Sequence, residues 1–192
     1  MRFCDSVTAL TTLRLCLRFI ESVASLHDHR VAPCDLKPGN VVIDTTFESE
    51  TLPRLFIIDF GLAQSIENEE TMTEGWCGTP PWVAPEVGSR NGPTRRYSPI
   101  LADRWACGRM IEHFAMYFPT YEGERNITLR AFARRLLDVN PRARPESNQL
   151  QAIHGPTKRK SASQEEPVPK RHASCSESVC LSSIRVLIIA SG

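Results

Sequence analysis

The stretch Cys34-Asp35-Leu36-Lys37-Pro38-Gly39-Asn40 decides how the rest of the chain is read. Its aspartate, lysine and asparagine put a carboxylate, a cation and an amide oxygen on one short loop. Phosphoryl transfer uses such a set: the carboxylate orients a hydroxyl, the cation meets the moving phosphate, and the amide oxygen helps hold magnesium. The bland alternative is a polar turn ahead of a strand. Pro33 and Pro38 keep the segment out of a helix. The β-branched run Val41–Ile43 behind it reads as a short strand.

Working outward, Val7 to His27 carries Leu13, Cys16, Leu17, Ile20, Val23 and Leu26 at helical spacing, which predicts an amphipathic helix leading into the loop. Downstream, Leu55–Ile58 reads as a second strand, and the polar interval Asp44 to Arg54 as the hairpin loop between the two. Gly61 to Ala84, broken by Gly and Pro, reads as one long functional loop. Ala102 to Phe118 is apolar enough for a buried helix. Thr128 to Val139 predicts another amphipathic helix, stopped at Asn140-Pro141. The expectation is a mostly helical domain with a few short strands on one side.

Four further strings stand in order behind the first. Ile57-Ile58-Asp59-Phe60-Gly61 sets a carboxylate at a strand end, where it can face a bivalent cation. Cys77-Gly78-Thr79-Pro80-Pro81-Trp82-Val83-Ala84-Pro85-Glu86 follows. Then come Asp103-Arg104-Trp105-Ala106-Cys107-Gly108 on the apolar helix, and Pro141-Arg142-Ala143-Arg144-Pro145 after Leu136-Leu137. Each alone has a purely structural reading. Together, in this order and at these intervals, they resemble the catalytic domain of eukaryotic-type serine/threonine protein kinases, over roughly residues 5–148. The fold this implies is the C-terminal lobe of the protein kinase-like (α+β) fold, mainly α-helical with a few short β-strands.

The resemblance implies roles position by position. Asp35 is the catalytic base, Lys37 neutralises the γ-phosphate of ATP, and Asn40 and Asp59 hold Mg2+. Thr79 hydrogen-bonds back to Asp35 and Lys37, and its loop receives the protein substrate. Glu86 pairs with Arg144, and Asp103 accepts backbone N–H groups from the catalytic loop. Ser65, Thr71 and Thr73 fall in the activation segment as candidate phosphorylation sites.

The chain also departs from the family. No G-x-G-x-x-G occurs, and the strand lysine and helix glutamate of the N-terminal lobe have no counterpart, so half of the nucleotide site is expected to be absent from this sequence. Pro33-Cys34 stands where the family has His-Arg. Proline has no N–H, so Asp103 is expected to lose one donor. Cys34 cannot bind a phosphorylated loop as arginine does. The Asp103–Arg144 interval is short, as if a docking helix were trimmed.

Composition narrows the function classes. The chain has 192 residues, a hydrophobic fraction of 41% and a net charge of +1, so a core can form and no general attraction to nucleic acid or anionic membrane is expected. The seven cysteines are scattered, without a C-x-x-C pair, which favours a reducing compartment over a disulfide scaffold. No secretory signal or membrane-spanning stretch is read. The organisation expected is a truncated kinase C-lobe over 1–150, then a disordered basic, Ser-rich tail over 151–192, most marked from Gln151 to about Ser183. Lys158-Arg159-Lys160 and Lys170-Arg171 resemble a bipartite nuclear-import signal, so cytoplasm or nucleus is the expected location. Three functions compete. The first is a kinase, inactive or nearly so as the isolated chain, with its N-lobe supplied by a longer form. The second is a pseudokinase-like protein-binding module. The third is a fragment without a stable fold.

Overall fold

The computed structural model describes residues 5–44, 54–117, 124–146, 149 and 186–188. Three helices carry the core: α1 (Asp5–Asp28), α2 (Pro99–Tyr117) and α3 (Glu124–Leu136). On α1 the buried residues Cys16, Phe19, Ile20 and Val23 recur at the i, i+3, i+4, i+7 spacing that makes one apolar stripe. They meet Cys107, Met110, Ile111 and Phe114 of α2, which in turn packs on Leu129, Phe132, Ala133 and Leu136 of α3. Phe19 and Phe114 meet edge-on with ring centroids 5.9 Å apart. The stripe is rotated slightly from the sequence reading: Leu15 and Phe19 are buried, whereas Leu17 and Leu26 are only half-buried.

Gly108 lets α2 and α3 close on each other. A Cβ built there would stand 2.8 Å from Leu137 Cγ and 3.0 Å from Leu136 Cβ, well inside contact distance. The helix of the Asp103–Gly108 string therefore needs its glycine for packing, not for conformational freedom.

Among the described residues, seven short strands accompany this core. β1 (Val31–Ala32) pairs antiparallel with β4 (Gln64–Ser65), and β5 (Thr73–Glu74) with β6 (Arg96–Tyr97). β2 (Val41–Asp44) and β3 (Arg54–Ile57) form the expected hairpin, Val41 facing Ile57 and Asp44 facing Arg54. Alternation places Val41 and Ile43 in the core. Single 3-10 turns at Pro38–Asn40, Pro85–Val87 and Pro141–Ala143 each begin with proline, whose fixed φ suits the first helical position.

Several boundaries differ from the sequence reading: α2 begins at Pro99 rather than Ala102, and α3 ends at Leu136 rather than Val139. The long loop from Gly61 to Ala84 contains β4 and β5, two-residue strands whose partners lie more than twenty residues away. The helix expected from Thr128 begins at Glu124. The tail expected to be disordered contributes β7 (Val186–Ile188), which adds antiparallel to the free edge of β2, Val42 facing Ile188. The apolar run SIRVLIIAS explains this, because its β-branched residues fit a pleated edge. The remainder of that tail, with both basic clusters, lies outside the described residues. Among the described residues, no helix is long and apolar enough to cross a membrane.

Candidate functional site

The loop between β1 and β2 is short and is anchored at several points. Cys34 has φ +61°, a left-handed conformation that a cysteine adopts only when its surroundings impose it. The bend delivers the Cys34 N–H to Asp103 Oδ1 at 3.0 Å. The other oxygen of Asp103 accepts from His27 Nε2, also at 3.0 Å. Asp103 is fully buried, and burial pushes its carboxyl above the usual carboxylate range, while the His27 bond and the Cys34 N–H act the other way. The sequence reading had Asp103 collecting several backbone donors and losing one to Pro33. One backbone donor is found, and the second is a ring nitrogen from the last turn of α1. His27 was not singled out from sequence.

Beyond this anchor the three polar residues of the loop converge. Lys37 Nζ donates to Asp35 Oδ2 at 2.7 Å and to Thr79 Oγ1 at 2.9 Å. Asn40 Nδ2 donates to the Asp35 carbonyl at 2.9 Å and to Asp35 Oδ2 at 3.2 Å. Thr79 therefore reaches Asp35 through the Lys37 ammonium; the direct Thr79–Asp35 bond expected from sequence is not among these contacts. Asp35 Oδ2 is saturated, whereas its Oδ1 is buried and has no hydrogen-bond partner. A buried unpartnered carboxylate oxygen is costly, and it marks where an incoming donor would sit.

Asp59 arrives from the other wall. The Ile58 N–H donates to the Asn40 carbonyl at 2.9 Å, which ties the end of β3 to the end of the loop. Asp59 then turns with φ +63°, and its Oδ1 accepts the Gly61 N–H at 3.1 Å. A left-handed φ is uncommon for a residue other than glycine, though aspartate adopts it more readily than most. Asn40 spends its N–H groups on Asp35, so its amide Oδ1 remains the acceptor for a cation. Among the described residues, no cluster of three or more His, Cys, Asp or Glu could cage a metal. A magnesium ion here would be held by Asn40 and Asp59 together with phosphate oxygens and water, the arrangement magnesium prefers with nucleotides. The donor set fits Mg2+ with a nucleotide phosphate.

The segment that closes the site is held to the helical core by ion pairs. Arg144 forms a bidentate pair with Glu86, at 2.5 and 2.8 Å, and also donates to the Leu101 carbonyl at 2.7 Å and the Asp138 carbonyl at 2.9 Å. The buried Arg104 binds Glu69 at 2.5 Å, and Ser98 Oγ donates to the Glu69 carbonyl. Of the candidate phosphorylation sites, Thr71 uses its Oγ1 to accept from the Glu67 and Asn68 N–H groups, Ser65 lies in β4, and Thr73 in β5.

One face beside Asp59 is apolar and open. Phe56, Ile58, Phe60 and Leu62 are 42–50% exposed. Phe60 borders a groove with Leu26, Leu55 and Phe56.

Comparison with known proteins gives a consistent answer. Residues 6–153 match the protein kinase domain family. A CBL-interacting serine/threonine-protein kinase 14 of Arabidopsis thaliana is 30% identical over 176 residues, covering 81% of this chain and 36% of its own length. A calcium/calmodulin-dependent protein kinase, cmkB, of Emericella nidulans is 28% identical over 155 residues, covering 68% of this chain and 36% of its own. Serine/threonine-protein kinase 17A of Oryctolagus cuniculus is 40% identical over 97 residues, half of this chain and 22% of the relative. The chain thus spans about a third of the length of the curated relatives it matches.

Proposed function

This chain belongs to the protein kinase family, and from that premise we propose that it carries the phosphoryl-transfer wall of a serine/threonine kinase, the C-terminal lobe, and that the isolated chain transfers phosphate little or not at all. The observation that carries the reading is the Lys37 ammonium bridging Asp35 and Thr79 while Asp35 Oδ1 stays unpartnered. In this reading Asp35 Oδ1 accepts the proton of a serine or threonine hydroxyl on a protein substrate. Lys37 is held by Asp35 and Thr79 at the position where the transferred phosphate gains charge. Asn40 Oδ1 and Asp59 are the chain's ligands for magnesium, which when bound neutralises phosphate oxygens.

Low activity of the isolated chain is supported by the open apolar face at Phe56, Ile58, Phe60 and Leu62. That face suits cover by a further lobe, which would also roof the nucleotide. With one wall only, few contacts offset the freedom a nucleotide loses on binding. The same face supports a second reading, a kinase-derived module that binds a protein partner without catalysis.

Incubation with magnesium, ATP and serine/threonine peptides tests the proposal. Transfer above background that disappears in Asp59→Asn would refute low activity of the isolated chain. Weak stabilisation of the fold by magnesium–ADP, lost in Asp59→Asn, is expected if the wall is competent. No stabilisation at any nucleotide concentration would favour the binding module.

A further inference from the structure

Two cysteines stand on neighbouring segments of the site. Cys34 sits immediately before Asp35, and Cys77 two residues before Thr79. Cys77 Sγ lies 3.8 Å from the Cys34 carbonyl oxygen, and both cysteines line one narrow pocket with Asp35 and Thr79. The approach is built into the backbone. Gly78 has φ +107°, and a Cβ there would stand 3.2 Å from the Cys34 carbonyl oxygen. Cys34 itself is turned into the left-handed region, as described above. Both cysteines are partly exposed, whereas Cys16 and Cys107 are buried in the helical core. Cys4, Cys175 and Cys180 lie outside the described residues.

We propose that Cys34 and Cys77 form a dithiol that a hydroperoxide oxidises to a disulfide, locking the catalytic loop to the Thr79 segment. The inference goes beyond phosphoryl transfer and does not depend on the chain being an active kinase. In the first step Cys77 Sγ attacks the peroxide oxygen and the O–O bond breaks. This gives a sulfenic acid on Cys77 and one water. In the second, Cys34 Sγ attacks Cys77 Sγ, the S–O bond breaks and a second water leaves. Two thiols are oxidised by two electrons and one hydrogen peroxide is reduced to two waters.

The order of attack follows from the surroundings. The Cys34 thiol beside it, helped by the Gly78 N–H, lowers the pKa of Cys77 from its ordinary value, against burial and the nearby Asp103 and Asp35. The Cys77 thiol, with burial and Asp103, raises that of Cys34. The thiolate is the nucleophile, and the lowered pKa of Cys77 agrees with attack by Cys77 and resolution by Cys34. The product joins residues on either side of the Lys37–Thr79 bond, so the two segments can no longer separate to admit or release a chain.

The test uses the purified full chain, reduced, desalted and treated with hydrogen peroxide, then alkylated and digested with trypsin without reductant. The expected product links the peptide Val31–Arg54, carrying Cys34, to Leu55–Arg90, carrying Cys77, and dithiothreitol reverses it. In Cys34→Ser the link is lost and Cys77 is trapped by dimedone as the sulfenic acid. In Cys77→Ser the link is lost and Cys34 stays reduced at the same dose. The proposal is overturned if the wild-type chain gives no such linked peptide, if Cys77 pairs instead with Cys4, Cys175 or Cys180, or if Cys34 oxidises equally fast in Cys77→Ser. The wild-type digest decides the matter even if a variant fails to fold.

Discussion

Replacing Arg144 with alanine removes four hydrogen bonds at once: two to Glu86 and one each to the carbonyls of Leu101 and Asp138. The Arg144 side chain has no solvent exposure and that of Glu86 only 16%. Water therefore cannot easily replace the lost guanidinium, and the Glu86 carboxylate is left buried and uncompensated. Breaking a buried pair from one side costs about 3–5 kcal/mol, a large share of the ~5–15 kcal/mol that stabilises an ordinary domain. With a urea m-value of about 2 kcal/mol/M, the unfolding midpoint should fall by about 2 M. Removing both charges with Arg144→Met and Glu86→Leu should recover most of that loss, because desolvation of the pair is no longer required. Equilibrium urea unfolding followed by far-UV circular dichroism measures all three proteins. An Arg144→Ala midpoint within about 0.5 M of wild type would refute the reasoning. So would a double variant no more stable than the single one.

Other outcomes follow from the same geometry. Gly108→Ala should lower stability by about 1–3 kcal/mol through overpacking against Leu136 and Leu137, despite the gain in helix propensity; the urea midpoint reports it, and an unchanged or raised value would show that α2 and α3 separate at little cost. Asp103 has its folded pKa raised above the ordinary 3.8. Between the two values the native state binds more protons than the unfolded chain, so this residue's contribution to stability falls as pH rises through that window. Asp103→Asn should remove that slope, and unfolding free energies measured from acid to neutral pH would show a steeper fall for wild type than for the variant.

Much of this arrangement was legible in the residue order, for identifiable reasons. The hairpin of β2 and β3 was read to within a residue, because Val41–Ile43 and Leu55–Ile58 are β-branched runs whose register only one burial pattern satisfies. The Asp35, Lys37 and Asn40 cluster was legible because its spacing fits one short loop, and local chain geometry alone brings the groups together. What escaped was whatever depends on distant pairing. β4 is two residues of Gln and Ser that are extended only because Val31 and Ala32 lie beside them. His27 reaches its partner across 76 residues of chain, and nothing local signals that a helix-end histidine will face a buried carboxylate. The Cys34–Cys77 contact was hidden for the same reason. The two cysteines look scattered until the left-handed turn at Cys34 and the open backbone at Gly78 are seen together.

The two carboxylates of the site rest on supports of unequal stiffness. Asp35 stands on a buried loop hung from α2 through Asp103 and braced by the end of α1, so its position follows that of the most tightly packed part of the molecule. Asp59 stands two residues beyond β3 in an exposed turn, steadied by the bond from the Ile58 N–H to the Asn40 carbonyl and by its own bond to the Gly61 N–H. Fluctuations in the distance between them should therefore come almost wholly from the Asp59 side. A partner that does no more than damp the motion of that turn would tune the spacing of the whole site, while Asp35 and Lys37 act as the fixed jaw of a vice.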